Sequence, residues 1–262
     1  MPPEVLARIP RDYAPAADLL RERAILVTGA GDGLGRAAAR ALAARGATVV
    51  LLGRTVKKLE AVYDEIERSG APQPAIYPMN LAGATWNDYA ELAANLERNL
   101  GRLDGLLHCA AHFRAFSPLS DLDPRDWVES LQVNLTAAYA LTRHCLPLLA
   151  RAPEAAVVFV SDVAGREIKP YRGAYGVAKW ALEGLVRAWA LELSDIHPRL
   201  RLNTYDPGPL RTGLRRRGYP GENPQKLPPP EGAANDLLYL LGPDSRGLSG
   251  KAWLRSAIEP SP

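Results

Sequence analysis

Thr28-Gly29-Ala30-Gly31-Asp32-Gly33-Leu34-Gly35 follows an apolar run at 24–28 and opens a stretch rich in Ala and Arg at helical spacing. A buried strand, a glycine turn and a helix N-terminus in that order let the backbone approach a pyrophosphate closely. The partial positive charge of the helix end favours its anionic oxygens. Gly29, Gly31, Asp32, Gly33, Leu34 and Gly35 are therefore candidate cofactor contacts.

Working outward, apolar runs at 24–28, 48–52, 74–78, 103–109, 155–160 and 200–205 alternate with segments of helical periodicity. Leu59, Val62, Tyr63 and Ile66 form one helical stripe, and Trp127, Leu131, Leu135, Ala138 and Leu141 another. Such alternation predicts βαβ units, hence an α/β, Rossmann-type, doubly wound parallel sheet with helices on both faces. The 262 residues, 47% of them hydrophobic, suit one domain over 1–262. Residues 1–20 read as an N-terminal arm. The stretch 207–232, dense in Pro, Gly and Arg, reads as a substrate/cofactor loop or a disordered connection, without a persistent helix or strand.

The 32 basic and 29 acidic side chains nearly cancel, so a nucleic-acid partner is not expected. Cys109 and Cys145 both fall in segments that read as buried, which argues against a disulfide framework and for a reducing compartment. Pro2, Pro3, Pro10, Pro15 and several charges leave the N-terminus no apolar stretch for a signal peptide or membrane span. A cytoplasmic protein with no membrane partner is expected. His108, His112, His144 and His197 lack ligand spacing and read as structural or surface residues, and no metal site is expected.

The second strand ends Leu51-Leu52-Gly53-Arg54-Thr55, where a site for NAD would offer an acid to the ribose 2′-hydroxyl. Arg54 offers a guanidinium that suits a 2′-phosphate, so NADP(H) is favoured and NAD(H) is possible. Further on, Tyr175-Gly176-Val177-Ala178-Lys179 heads a predicted helix running to about Leu193. A spacing of four puts phenol and ammonium on one face. A phenol titrates near 10 unless a cation stabilises the phenolate; Lys179 can supply that field, making Tyr175 a proton donor to a carbonyl or acceptor from an alcohol.

With these residues in place the chain resembles the short-chain dehydrogenase/reductase family over nearly its whole length, 19 to about 253. The resemblance rests on the glycine loop, Val133-Asn134-Leu135, the Tyr175/Lys179 pair and Asp206-Pro207-Gly208-Pro209-Leu210-Arg211-Thr212. Within the family it is most similar to the bacterial YciK-type oxidoreductases. That likeness is carried by Leu19-Leu20-Arg21-Glu22-Arg23-Ala24-Ile25-Leu26-Val27-Thr28-Gly29, by Glu222-Asn223-Pro224-Gln225-Lys226-Leu227 and by Asp244-Ser245-Arg246. The resemblance implies seven parallel strands, a nicotinamide cofactor, a small carbonyl or alcohol substrate, and a homodimer or homotetramer. It implies that Tyr175 is the acid/base, that Lys179 lowers its pKa and holds ribose hydroxyls, and that Asn134 anchors a relay water. Thr212 would touch the nicotinamide carboxamide, with Pro207 and Gly208 shaping the loop beneath the ring.

Four positions depart from the family. The serine that holds the substrate carbonyl, thirteen residues before the tyrosine, is Asp162 here, with Ser161 just before it. An ionised carboxylate there repels a developing phenolate or alkoxide and raises the tyrosine pKa, each unit being worth about 1.36 kcal/mol. Side chains alternate along a strand, so Asp162 is expected to face the site and Ser161 to point away. Asp162 would then act either as a protonated donor or as the partner of a cationic substrate. Cys109-Ala110-Ala111 replaces an Asn-Ala-Gly turn, placing the Ala111 methyl near the cofactor ribose. Asn80, before Leu81, replaces an adenine-binding aspartate whose acceptor role its amide oxygen can still fill. Arg211, Arg215, Arg216 and Arg217 either recognise an anionic group on the substrate or form a solvated charge run. The expected function is an NADP(H)-dependent oxidoreductase interconverting a carbonyl and an alcohol. The alternative is a cofactor-binding sensor or scaffold whose catalysis Asp162 has impaired.

Overall fold

The computed structural model describes residues 6–167 and 169–255. The strands are β1 (Leu6–Arg8), β2 (Ala24–Thr28), β3 (Thr48–Gly53), β4 (Ala75–Pro78), β5 (Gly105–His108), β6 (Ala155–Val160), β7 (Leu200–Asp206) and β8 (Ala252–Leu254). They form one sheet, every pair parallel, in the order β1-β8-β7-β6-β5-β2-β3-β4. The chain runs outward one way from β2 through β3 to β4 and the other way from β5 toward β8. The switch point therefore lies between β2 and β5, where open α/β sheets place their ligands.

Both faces of the sheet are covered, as its fully buried strands require. Ile25 and Val27 of β2, Val49 and Leu51 of β3, and Ala156 and Val158 of β6 pack toward α1 (Gly33–Ala43), α2 (Val56–Arg68) and α8 (Pro230–Leu241). Their neighbours Leu26, Val50, Leu52, Val157 and Phe159 pack toward α3 (Trp86–Leu100), α5 (Ala137–Ala150) and α6 (Gly173–Leu193). Leu59, Val62 and Ile66 are buried on α2 as their spacing predicts, with Tyr63 partly buried beside them. Among the described residues no helix is long and apolar enough to cross a membrane.

Three expectations need correction. The sheet has eight strands rather than seven, because the N-terminal arm adds β1 to the edge beside β8, Leu6 opposite Ala252. That arm packs down: Ile9 and Leu20 are buried, and Tyr13 donates a hydrogen bond to Asp244 at 2.9 Å. The 207–232 stretch is not without helix. Thr212 caps α7 (Gly213–Gly218) by accepting from the Arg215 N–H, a 3₁₀ turn covers Pro224–Lys226, and α8 begins at Pro230. Finally, the stripe from Trp127 to Leu141 belongs to two helices, α4 (Pro124–Leu131) and α5, joined by a π turn over Gln132–Thr136, and Trp127 stays exposed. Asn134 sits at that turn, its side-chain amide donating to the Ser130 carbonyl and to the carbonyl of His112.

Tyr205, buried on β7, donates a 2.6 Å hydrogen bond to Asp236 on α8 and ties the sheet to that helix. Tyr205→Phe leaves the Asp236 carboxylate with the Arg255 guanidinium at 3.9 Å but without its hydrogen bond, and should lower the unfolding free energy by about 1–3 kcal/mol. The measurement is the urea midpoint; an unshifted midpoint would show that the bond adds nothing to stability.

Candidate active site

The glycine loop leaves β2 with little slack. Thr28 Oγ1 accepts from the Cys109 and Ala110 N–H groups, both at 3.1 Å, joining the exits of β2 and β5 at the switch point. Gly29 has φ +66, and a Cβ there would lie 2.9 Å from the Ala110 Cα; one at Gly35 would lie 2.2 Å from the Gly29 carbonyl oxygen. Gly33, with φ +50, faces Thr212. Asp32 caps α1 through its own side chain: Oδ1 accepts from the Gly33 N–H at 2.8 Å and Oδ2 from Lys58 Nζ at 2.5 Å. The Lys58 hydrogen bond holds the Asp32 carboxyl below the usual carboxylate range. The remaining first-turn N–H groups have no intrahelical acceptor and open toward the cleft, as an anion site requires.

A cleft of about 1260 Å³ runs over this loop, large enough for a dinucleotide and a small second molecule. Along one end lie Arg54, exposed, with Lys58 one helical turn beyond it, and then Asn80 and Leu81. The Asn80 amide oxygen accepts from the Ala82 N–H at 3.3 Å and keeps a second lone pair. Ala110 and Ala111 lie midway, and Pro207, Gly208 and Thr212 line the other wall. Glycine loop, helix N-terminus and two cations at the rim fit a phosphorylated dinucleotide.

Tyr175, Lys179, Ser161 and Asp162 meet at the far end. Tyr175 and Lys179 are buried on α6, and the Tyr175 hydroxyl donates to Asp162 Oδ2 at 3.3 Å. Lys179 Nζ donates to the Val160 carbonyl at 2.6 Å and lies 5.6 Å from the Tyr175 ring centre. Asp162 Oδ1 caps the short 3₁₀ turn Val163–Gly165 by accepting from the Ala164 N–H at 2.8 Å. Ser161 is turned away: its Oγ is buried with no hydrogen-bond partner among the described residues, against the turn at Gly165. Burial, then the neighbouring Asp162, raise the Tyr175 hydroxyl well above its ordinary value. Burial lowers the Lys179 ammonium, against the pull of Asp162. Asn134 does not reach this cluster directly; it clamps the main chain of His112 from both sides.

Several residues at the site carry no short motif. Arg166 bonds Glu183 at 3.1 Å and also Asp206, while Thr204 donates to the second Glu183 oxygen at 2.7 Å. The Gly208 N–H, in a loop where Gly208 has φ +67, donates to Asp206 at 2.8 Å. This buried network ties the turn after β6 to the end of β7. Rings extend from Tyr175 through Phe113, Phe116 and Tyr219, with centroid spacings of 5.1, 5.2 and 5.0 Å. His112, in the same wall, bridges Asp126 at 2.6 Å and Glu129 at 3.3 Å. Of the arginines near α7, Arg215 is bidentate to Glu222 and stacked over Tyr219, Arg211 bonds Gln225, Arg216 is exposed, and Arg217 lines the cleft. Burial pushes the Cys109 and Cys145 thiols up to about 12, which makes them poor nucleophiles.

A parallel sheet with a glycine loop at its switch point and a Tyr-Lys pair at the cleft end defines a Rossmann-type oxidoreductase. The chain belongs to the short chain dehydrogenase family, whose pattern it matches over residues 23–223. It is 40% identical to the uncharacterized oxidoreductase YciK of Escherichia coli, over 91% of this chain and 93% of that one. A short chain dehydrogenase structure from Pseudomonas syringae superposes with a TM-score of 0.90 at 48% identity, covering 93% of this chain and 98% of the other. One from Escherichia coli CFT073, complexed with NADPH, has a TM-score of 0.89 at 40% identity, covering 93% and 100%.

Gly35→Ala puts a methyl into the loop's own backbone. Overpacking of this kind costs about 1–3 kcal/mol, so affinity for a nicotinamide dinucleotide should fall roughly ten- to hundredfold. Calorimetric titration checks this; unchanged affinity would mean that the loop does not hold the cofactor.

Proposed function

We propose that this chain is an NADP(H)-dependent oxidoreductase interconverting a carbonyl and an alcohol, working as one Rossmann-type domain with Tyr175 as acid/base. The observation that carries this reading is that one cleft is lined by both the glycine loop and Tyr175. Bound NADPH supplies the hydride. Gly29, Gly31, Gly33, Leu34 and Gly35 form the backbone cradle for the pyrophosphate, and Arg54 takes the 2′-phosphate with Lys58 beside it. The NADPH held by the similar E. coli protein supports that choice of cofactor over NAD(H). Asn80 and Leu81 meet the adenine, Ala110 and Ala111 the ribose, and Pro207, Gly208 and Thr212 the nicotinamide.

Tyr175 gives its proton to the carbonyl oxygen as hydride arrives, and Lys179 supports the phenolate left behind. A cavity of about 10 Å³ bounded by Asn134, Thr28, His108 and Lys179 is at the lower limit for one water, which supports a relay through Asn134. The exposed Val128 on α4 and Trp180 on α6 offer apolar surface for a homodimer or homotetramer. The two unpaired thiols suit the cytoplasm. A second reading, a cofactor-binding sensor or scaffold, is favoured by one contact: the Tyr175 proton is held by Asp162 rather than left free for a substrate.

Quenching of the 5 tryptophans on titration with NADPH and with NADH tests the cofactor. NADPH should bind more tightly, and Arg54→Ala should remove roughly tenfold or more of its affinity with little effect on NADH. Equal affinities in wild type would exclude the 2′-phosphate role. Asp162→Ser should raise carbonyl turnover; no turnover in either protein, with cofactor bound, would favour the sensor or scaffold.

A further inference from the structure

Asp162 is a carboxylate with no cation in direct contact among the described residues: the Lys179 ammonium acts on it through space but is bonded elsewhere. Lys179 donates to the Val160 carbonyl, Arg166 is taken by Glu183 and Asp206, and Arg172 stacks on Phe116 with its guanidinium carbon 4.8 Å from the ring centre. Among the described residues no ion pair reaches Asp162, whose hydrogen bonds come from the Ala164 N–H and the Tyr175 hydroxyl. Asp162 lines the cleft beside Tyr175, and its Oδ2 is the atom that accepts from the Tyr175 hydroxyl.

For a carbonyl this arrangement is adverse. Hydride addition leaves an alkoxide beside a fixed negative charge, and the proton that would quench it is already shared with that charge. For a carbon–nitrogen double bond bearing a positive charge the same arrangement is favourable. The carboxylate balances the cation, the ring of Phe113 in the cleft wall offers it an aromatic surface, and no alkoxide forms.

We infer that the reacting end of this cleft takes a cation, reducing an iminium to an amine with Asp162 as its counter-ion. The inference rests on the hydride-transfer reading above and adds a second substrate class to it. The iminium carbon takes the hydride, so one C–H bond forms there as one breaks at the reduced nicotinamide. The π pair of the C=N⁺ bond becomes the nitrogen lone pair, the amine is neutral, and the nicotinamide ring becomes the cation. The positive charge moves from substrate to ring within one cleft, so Asp162 faces a cation before and after. No proton is needed in the step, which suits a tyrosine whose hydroxyl is a weakened acid.

The test compares two probes with NADPH: N-methyl-dihydroisoquinolinium, a permanent cation that cannot be deprotonated to a neutral imine, and tetralone, a neutral ketone of similar size. The readout is the ratio of kcat/KM for iminium over ketone. In wild type the ratio should exceed one. Asp162→Asn keeps the capping oxygen and removes the charge; it should lower the ratio roughly ten- to hundredfold, the worth of one charge-assisted contact. Asp162→Ser, with the family residue, should lower it likewise. Tyr175→Phe should raise it about a hundredfold or more, because only the ketone loses a proton donor. A second readout needs no turnover: calorimetric binding of N-methyl-tetrahydroisoquinolinium, the protonated form of the product amine, should weaken roughly tenfold or more in Asp162→Asn. A wild-type ratio below one, or a ratio and an affinity that Asp162→Asn leaves unmoved, overturns the cation site while carbonyl reduction stands. Failure of NADPH to bind overturns the hydride-transfer reading and the reduction with it, and the calorimetric arm then reports on the cation site alone.

Discussion

The contact between the exits of β2 and β5 governs the rest of the molecule. Thr28 accepts two main-chain hydrogen bonds from Cys109 and Ala110, and Gly29 and Gly35 let the intervening loop fold back onto itself within a space no methyl could share. Closing that corner at the switch point points α1 at the cleft and brings Ala110 and Ala111 beside the loop. Parallel pairing of β6 with β5 and β7 then sets the turns after Val160 and Asp206 along the same edge. The cofactor cradle and the chemistry are thus two consequences of one topology.

At the other end of the cleft the decisive interaction is electrostatic. Two carboxylates, Glu183 and Asp206, share Arg166 and hold the turn after β6 in place, and that turn is where Asp162 is presented. Buried charges are tolerated when paired and hydrogen-bonded, as these three are. Among the described residues, the hydrogen bonds to Asp162 come from a main-chain N–H and from Tyr175 alone. On the proposed reading it is this difference, rather than any change in fold, that sets the cleft apart from that of a carbonyl reductase. Fold alone leaves substrate open.

Much of the architecture was legible because the central strands are continuous apolar runs, buried on both faces. β1 and β8 were not: each has three residues, too few for a periodicity, and β1 precedes Pro10 at the sheet edge. α7 was hidden by its glycines and arginines, although Thr212 three residues before Arg215 carries the capping signal. The π turn was unreadable because it depends on Asn134 reaching a main chain twenty-two residues away. At the site, Tyr175 and Lys179 were visible through helical spacing, and Asp162 through its distance from Tyr175. Lys58 could have been found one turn after Arg54. Arg166, Glu183 and Asp206 could not, since they meet only in three dimensions from separate elements.

Beyond burial, Asp162 is the group that raises the proton affinity of Tyr175 most. The direct measurement is the pH profile of kcat/KM for ketone reduction in wild type and in Asp162→Ser. Reduction needs the phenol protonated, so activity falls as pH rises through its pKa. Burial and then Asp162 hold that pKa well above its ordinary value, so removing the carboxylate should move the alkaline fall to lower pH. An alkaline limb that stays where it was, or moves upward, in Asp162→Ser would contradict the claim.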